Sequence, residues 1–307
     1  MRLGVFFPTK EHGPLDDMVR RLRGVADLGV DSLWLPQSTG VDALTVLAVA
    51  ARDVRGVELG TSVVPIFPRH PIALAAQALA TNAAADGRLV LGIGLSHRAS
   101  IEATYGLAYD RPARHMREYL DALMPLLHDG AVEVQGDRVT ARMQLTAPGA
   151  VAPAVVLAAL QPRMLALAGA VADGTVTWCT GPVTLAEQVV PLVTAAAEDA
   201  GRPAPRVVVA LPVIVTDDEV YGRARADEQL EGYGRIPVYR AVLDREGVDG
   251  PGDVAVVGDE ASVTDQLARL AGIGATDFVA IPCGTDADRR RTLEHLVGPA
   301  REELRLT

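Results

Sequence analysis

The sequence predicts an α/β protein with the fold of a (β/α)8 barrel. Short β-branched runs alternate with longer segments rich in Ala and Leu that have a helical period, which is typical of βα units around a parallel sheet. Eight such runs occur, the number of strands in this kind of barrel. A length of 307 residues suits one barrel domain, so we predict a single domain over residues 1–307. An open, doubly wound sheet is the alternative.

Each predicted strand is short and apolar, and most are followed directly by a helical segment. The strands are predicted at Leu3–Phe7, Ser32–Leu35, Val57–Val64, Leu89–Ile93, Ala154–Ala159, Thr175–Cys179, Val207–Val215 and Asp277–Ile281. The helices are predicted at Leu15–Leu28, Ala43–Ala51, Ile72–Ala84, Arg114–Leu127, Arg163–Val171, Leu185–Ala200, Ser262–Ile273 and Asp286–Leu304.

Two stretches interrupt this alternation. Residues Ala131–Arg142 alternate apolar and polar side chains around Gly136 and Asp137, which predicts a short hairpin inserted before the fifth strand. The segment Glu219–Asp253 follows the seventh strand without a clear period and predicts loops and short helices at one end of the barrel. A ninth short strand at Asp253–Gly258 is possible.

The composition restricts the class of function. A net charge of −10 argues against a nucleic-acid surface, which needs clustered positive charge. No run reaches the roughly 18 apolar residues of a membrane helix, and the N-terminal apolar run is too short for a signal peptide. The two cysteines, Cys179 and Cys283, lack metal-ligand spacing. We therefore expect a cytoplasmic protein that acts on a small molecule, without a metal, a membrane or a nucleic-acid partner.

The site of such a barrel lies at the carboxyl ends of its strands. These ends carry amide, hydroxyl and imidazole groups, small residues and prolines, but no carboxylate pair, no metal-ligand set and no G-x-S-x-G motif. No lysine ends an inner strand, which argues against a class I aldolase, and Lys10 is the only lysine that could supply a Schiff-base amine. Groups of this kind hold a ligand, so we expect a cofactor to carry the chemistry.

The fourth predicted strand ends in small residues followed by polar and basic ones. The stretch RLVLGIGLSHRAS runs through Gly92 and Gly94 into Ser96, His97 and Arg98. It lacks the third glycine of a dinucleotide fingerprint, because His97 occupies that position. A tight turn from strand to helix would explain the glycines, and so would a ligand lying against bare backbone. Imidazole is the natural acid at neutral pH, which makes His97 a candidate catalytic group.

The chain resembles the luciferase-like superfamily, which comprises FMN-dependent monooxygenases and coenzyme F420-dependent oxidoreductases built on a (β/α)8 barrel. The similar stretches are GVDSLWLP, ELGTSVVPIFPRHP, GRLVLGIGLSHR and AVADGTVTW at the second, third, fourth and sixth strands. They occur in the right order over nearly the whole chain. The fourth-strand motif and the MREYLDALMPLL helix look most like the F420-dependent branch.

The resemblance implies a site along the strand ends. A bulge with a non-proline cis peptide at Ser62–Val63 would support the deazaflavin ring, and Arg98 and Arg163 would neutralise the phosphate or the acidic tail of F420. The full set of implied cofactor-binding residues is Gln37, Ser62, Val63, Gly94, Leu95, Ser96, His97, Arg98, Leu160, Gln161 and Arg163.

The chain departs from the family pattern at three of these strand ends. Gln37 and Ser38 replace the Asp-His pair that members often carry, and His97 occupies the place of a catalytic Glu of the sugar-phosphate dehydrogenases. Gly181 stands where those enzymes bind the sugar phosphate through a lysine, which argues against that substrate class. His97 is then the predicted acid, or the group that orients the substrate.

The resemblance implies an F420-dependent oxidoreductase that moves a hydride between the deazaflavin and a small organic substrate. The reaction would reduce a C=N or an activated C=C bond, or run in reverse, and the protein is expected to be a homodimer. Two alternatives stay open. One is an FMN-dependent luciferase-like monooxygenase, and the other is a barrel that binds a flavin without turnover.

Overall fold

The computed structural model describes residues 1–7 and 13–306, so Lys10 lies outside the described residues. Twelve strands are present: β1 (Arg2–Phe6), β2 (Ser32–Leu35), β3 (Glu58–Thr61), β4 (Val64–Pro65), β5 (Leu89–Gly94), β6 (Ala131–Gln135), β7 (Thr140–Gln144), β8 (Ala154–Ala158), β9 (Gly174–Trp178), β10 (Arg206–Val215), β11 (Val256–Gly258) and β12 (Asp277–Pro282).

Thirteen α-helices connect the strands of the described chain. They are α1 (Leu15–Asp27), α2 (Ala43–Ala50), α3 (Pro71–Ala84), α4 (Arg98–Tyr105), α5 (Pro112–His128), α6 (Pro162–Ala170), α7 (Pro182–Thr184), α8 (Val190–Asp199), α9 (Glu219–Gln229), α10 (Pro237–Glu246), α11 (Glu260–Ile273), α12 (Asp286–Val297) and α13 (Pro299–Leu306). A π-helical turn at Leu185–Val189 joins α7 to α8, and 3-10 turns lie at Tyr233–Arg235 and Pro251–Val254.

Eight of the strands form a closed parallel barrel in the order β1, β2, β3, β5, β8, β9, β10, β12. The barrel closes because β10 pairs with β9 on one side and with β12 on the other, and β12 pairs with β1. These are the eight predicted strands. The predicted (β/α)8 barrel is therefore confirmed, and the open doubly wound sheet is excluded.

Side chains fill the barrel from the inside. The interior cluster consists of Phe6, Trp34, Val90, Val156, Val176, Val208, Ala210, Val279 and Ile281. A larger core lies between the strands and the surrounding helices, and on β5 it takes Leu89, Leu91 and Ile93, which alternate with Val90. Successive side chains of a strand point to opposite faces, so β5 is buried on both faces, as a parallel barrel strand should be.

An ion cluster holds the amino-terminal end of the barrel. Arg206 of β10 lies 2.7 Å from Asp277 of β12 and 3.0 Å from Glu58 of β3, and Arg2 of β1 contacts the same two carboxylates. Burial alone would lower the pKa of Arg206, but attraction to Asp277 and Glu58 outweighs it and raises that pKa. Four strands are thus joined at the face that does not carry the site.

The structure refines the interrupted regions. The hairpin predicted before the fifth barrel strand is present as β6 and β7, which pair antiparallel. The ninth strand is present as β11, which pairs with the carboxyl half of β10 outside the closed ring. Helix α4 was not predicted. None of the helices in the described ranges 1–7 and 13–306 is long and apolar enough to cross a membrane.

Candidate functional site

The third barrel strand breaks into β3 and β4 at a bulge. The Ser62–Val63 peptide within it is cis, as the family resemblance implied. The Thr61 hydroxyl donates to the carbonyl of Gly92 (2.8 Å) and accepts from its amide (2.9 Å). One hydroxyl therefore bridges both backbone groups of Gly92 across to the neighbouring strand, where the bulge interrupts the regular pairing of the strands.

The bulge explains the two glycines of β5. A Cβ on Gly92 would lie 1.9 Å from the carbonyl oxygen of Thr61, and a Cβ on Gly94 would lie 2.6 Å from Cγ2 of Val63. Neither position has room for a side chain. On the sequence alone, a tight turn or a ligand would explain Gly92 and Gly94. In the structure both glycines are required by the neighbouring bulge of the same chain.

Aromatic side chains close the carboxyl end of the barrel. Phe6, in the interior, packs on Trp178 at the end of β9, with ring centroids 5.0 Å apart. Trp178 lies 5.7 Å from Tyr233, Tyr233 lies 5.3 Å from Tyr239, and Tyr239 lies 5.6 Å from His97. We call Trp178, Tyr233, Tyr239 and His97 the mouth cluster. It brings together the ends of two barrel strands and the irregular segment after β10.

The polar atoms of the mouth cluster lack protein partners. Nε1 of Trp178 is buried without a hydrogen bond. Within the described part of the chain, the ring nitrogens of His97 and the hydroxyls of Tyr233 and Tyr239 also have no hydrogen-bond partner. Of these atoms the indole nitrogen is the buried one, and buried polar groups in proteins are nearly always hydrogen-bonded. A cluster of unpartnered donors at the carboxyl end of a barrel is where a ligand is expected.

The mouth cluster is uncharged at neutral pH. Burial lowers the pKa of His97, which favours the neutral imidazole with one donor and one acceptor nitrogen. Burial also raises the pKa of both tyrosines, with Cys179 adding to the effect at each, so both hydroxyls keep their protons. The pKa of the Cys179 thiol is raised by burial as well. Among the described residues, no carboxylate or cation contributes to these shifts.

The loop after β5 leads directly into the mouth cluster. Leu95 is half-buried, and Ser96 has a left-handed backbone (φ 58°), with its carbonyl accepting from the Tyr109 hydroxyl at 3.3 Å. His97 precedes α4 without capping it. Arg98 is exposed, pairs with Glu102 on its own helix at 2.7 Å and lies over the Tyr109 ring. Contact between Arg98 and a cofactor phosphate stays a prediction.

The end of β8, next to β5 in the barrel, carries the second predicted group. Leu160 is buried, and its carbonyl accepts from Nε2 of Gln188 at 2.5 Å. Gln161 is exposed and precedes α6 without capping it. Arg163 is exposed and makes no ion pair within residues 1–7 and 13–306. Helices α4 and α6 therefore both begin near this edge without a side-chain cap, and helix amino termini attract anions.

Gln37 has a structural partner. Its side-chain carbonyl accepts from the amide of Ala43 at 2.7 Å, at the start of α2. The adjacent Ser38 is exposed. Oε1 of Gln37 already accepts a hydrogen bond at the start of α2. Only its amide nitrogen remains for the predicted contact with a ligand.

Sequence reasoning missed the two tyrosines of the mouth cluster. Aromatic residues make up only 4% of the chain, and the stretch GYGRIPVYR carries two of them six positions apart. That local concentration, in a segment without a period, was the available signal. No group of three His, Cys, Asp or Glu side chains that could hold a metal occurs among the described residues.

Known proteins share both the sequence pattern and the fold. The profile of the luciferase-like monooxygenase family matches residues 1–277. A 5,10-methylenetetrahydromethanopterin reductase from Methanolobus tindarius is 27% identical over 277 residues, which cover 88% of this chain and 83% of that protein.

Two solved structures show how widely the fold is used. The coenzyme F420-dependent tetrahydromethanopterin reductase from Methanopyrus kandleri has a TM-score of 0.80 at 19% identity and covers 99% of both chains. The oxygenating constituent of 3,6-diketocamphane monooxygenase from Pseudomonas putida, solved with FMN, has the same TM-score at 17% identity, over 99% of this chain and 98% of that one. At these identities the superpositions establish the fold and leave the cofactor open.

Proposed function

This chain belongs to the luciferase-like monooxygenase family, and we propose that it is an F420-dependent oxidoreductase working at the carboxyl end of its barrel. The observation that carries the proposal is the mouth cluster, where four neighbouring side chains present polar atoms without a protein partner. Sequence similarity to the 5,10-methylenetetrahydromethanopterin reductase from Methanolobus tindarius supports an oxidoreductase, and the resemblance of the fourth-strand motif to the F420-dependent branch supports the choice of cofactor. F420 would supply or accept a hydride at C5 of its deazaflavin ring.

The residues present suit such a group. Ser62 and Val63 of the bulge are half-buried and offer an uncharged surface to a planar ring. The uncapped amino terminus of α6 favours a phosphate. Arg163, which has no ion-pair partner in the described chain, could meet the acidic tail. Leu95, Ser96, Leu160 and Gln161 complete the proposed cofactor edge.

His97 is the proposed proton carrier. Its imidazole is neutral because burial lowers its pKa, and it presents one N–H and one free nitrogen beside Tyr239. A neutral imidazole can hold a substrate atom by donating a hydrogen bond, and its free nitrogen can accept the proton of a substrate hydroxyl as the hydride leaves for F420. Ser38 is exposed at the end of the second strand and offers no comparable acid.

The FMN-dependent monooxygenase is the second candidate, because the FMN-containing structure has the same TM-score of 0.80. Titration of the purified protein with F420 and with FMN separates the two. We expect tighter binding of F420, and Arg163→Ala should weaken F420 more at low salt than at high salt, because exposed charges are screened over about 8 Å at physiological salt. Stoichiometric FMN without F420 affinity would overturn the proposal. A homodimer stays a prediction that light scattering can check.

A further inference from the structure

We propose that the substrate of this site is an uncharged molecule with a planar, largely apolar body and a carbonyl or imine hydrogen-bond acceptor, held by Trp178, Tyr233 and Tyr239. The location beside the cofactor rests on the proposed function. The chemistry of the ligand follows from the mouth cluster itself, because its rings, its unpartnered atoms and its lack of charge each restrict what can bind there.

Topology separates these residues from the proposed cofactor edge. In a closed ring of eight strands the third and seventh strands lie opposite each other. The bulge follows β3, the third strand, whereas Tyr233 and Tyr239 belong to the segment after β10, the seventh. His97 enters from the fourth strand and meets Tyr239. The tyrosines belong to a segment that starts across the ring from the bulge, and their rings meet His97 at the border of the proposed cofactor edge, where a substrate would face the deazaflavin.

The absence of charge argues for a neutral substrate. Within the described residues, burial alone lowers the pKa of His97, and burial with the neutral groups Cys179, Tyr233 and Tyr109 accounts for the raised pKa values of Tyr233 and Tyr239. A carboxylate or phosphate placed there would lose its hydration without gaining a cation. Removing an unpaired charge from water is costly, so the site should reject anions.

The unpartnered atoms argue against a cation as well. Aromatic rings can attract a cation through their faces. The indole N–H of Trp178 is, however, a buried donor that needs an acceptor, and the hydroxyls of the half-buried Tyr233 and Tyr239 can donate beside it. A carbonyl oxygen or an imine nitrogen would accept from the indole N–H, whereas a cation has no lone pair to accept from it.

The ring geometry fits a planar apolar body. Tyr233 and Tyr239 meet at 76° and His97 meets Tyr239 at 69°, so the cluster offers both ring edges and ring faces. When a flat substrate inserts between two of these rings, the contacts between the rings are lost. Equivalent contacts between each ring and the substrate replace them.

Calorimetric titration of the F420-loaded protein, without a reductant, tests the substrate class. The ligands are two size-matched pairs: 4-nitroacetophenone with 4-acetylbenzoate, and 4-tert-butylacetophenone with 4-acetyl-N,N,N-trimethylanilinium. We expect each neutral ketone to bind at least tenfold more tightly than its charged match. Equal or tighter binding of either charged ligand would overturn the inference.

Variants locate the binding. Tyr233→Phe and Tyr239→Phe remove only a hydroxyl, and at least one should weaken binding of 4-nitroacetophenone severalfold while leaving F420 affinity unchanged. Tyr105→Ala, at a tyrosine of α4 that is 46% exposed, is the matched control and should change neither. If F420 binds but neither Phe variant affects the ketone, the substrate inference fails alone. If F420 does not bind while the ketone contrast persists in the apoprotein, the proposed function fails alone.

Discussion

The Gly92→Ala substitution tests whether the bulge, rather than a ligand, requires the bare backbone of β5. The added methyl group would lie 1.9 Å from the carbonyl oxygen of Thr61, about 1.5 Å short of an ordinary van der Waals contact. That oxygen is backbone, so it moves only if the bulge moves. Movement would also break the two hydrogen bonds between the Thr61 hydroxyl and Gly92.

The expected loss follows from these contacts. Overpacking a filled core costs about 1–3 kcal/mol, and each lost hydrogen bond about 0.5–1.5 kcal/mol. We expect the free energy of unfolding to fall by roughly 3 kcal/mol, a large fraction of the 5–15 kcal/mol typical of native proteins. With a urea m-value near 3 kcal/mol/M, the midpoint should fall by about 1 M.

Substitutions at two other glycines, with less steric conflict, provide the comparison. Gly94→Ala meets mainly the side chain of Val63, which can rotate, so its loss should be smaller. Gly24→Ala, in helix α1 with nothing within 4 Å of the new methyl group, should stabilise the protein by about 0.5–1 kcal/mol. Urea unfolding followed by circular dichroism measures all three. A midpoint for Gly92→Ala equal to that of the unmodified protein would refute the close-approach argument.

Two further predictions concern the site and the base of the barrel. His97→Ala should lower kcat about 10²–10⁴-fold and change the Kd of F420 far less. The exposed control His128→Ala should change neither kcat nor Kd. If His97→Ala kept kcat within a few-fold of normal, the proton would be handled by water or by the substrate. Asp277→Asn should lower the free energy of unfolding by about 3 kcal/mol, near the lower end for breaking a buried ion pair, because Glu58 still neutralises Arg206. The exposed control Asp86→Asn should lower it by less than about 1 kcal/mol, and equal losses would contradict the role given to Asp277.

The barrel could be predicted because its strands carry a local signal. Parallel strands buried on both faces consist of continuous apolar runs, and each such run in this sequence ends in glycine, proline or polar residues. Helix α4 carried no such signal, since Ile101 is its only buried residue and the other positions have no apolar period. The bulge was inferred from family resemblance, because a cis peptide leaves no mark in composition or spacing.

The mouth cluster could not be predicted because it forms only through tertiary folding. His97 follows the fourth barrel strand, Trp178 ends the sixth, and the two tyrosines belong to an irregular segment after the seventh. No spacing along the chain relates these positions to one another. The closure of the ring places them together, and the register of each strand decides which residue reaches the end.

Glycine at a strand end is ambiguous evidence for a ligand, and β5 shows why. A glycine shows only that another group lies where its side chain would be. For Gly92 that group is Thr61, and for Gly94 it is Val63, both of the same chain. Unpartnered donors discriminate better, because folding tends to satisfy every buried polar atom that it can. Trp178 retains an unsatisfied N–H beside two free hydroxyls and a neutral imidazole. The candidate site is therefore better defined by these four side chains than by the glycine motif that first indicated it.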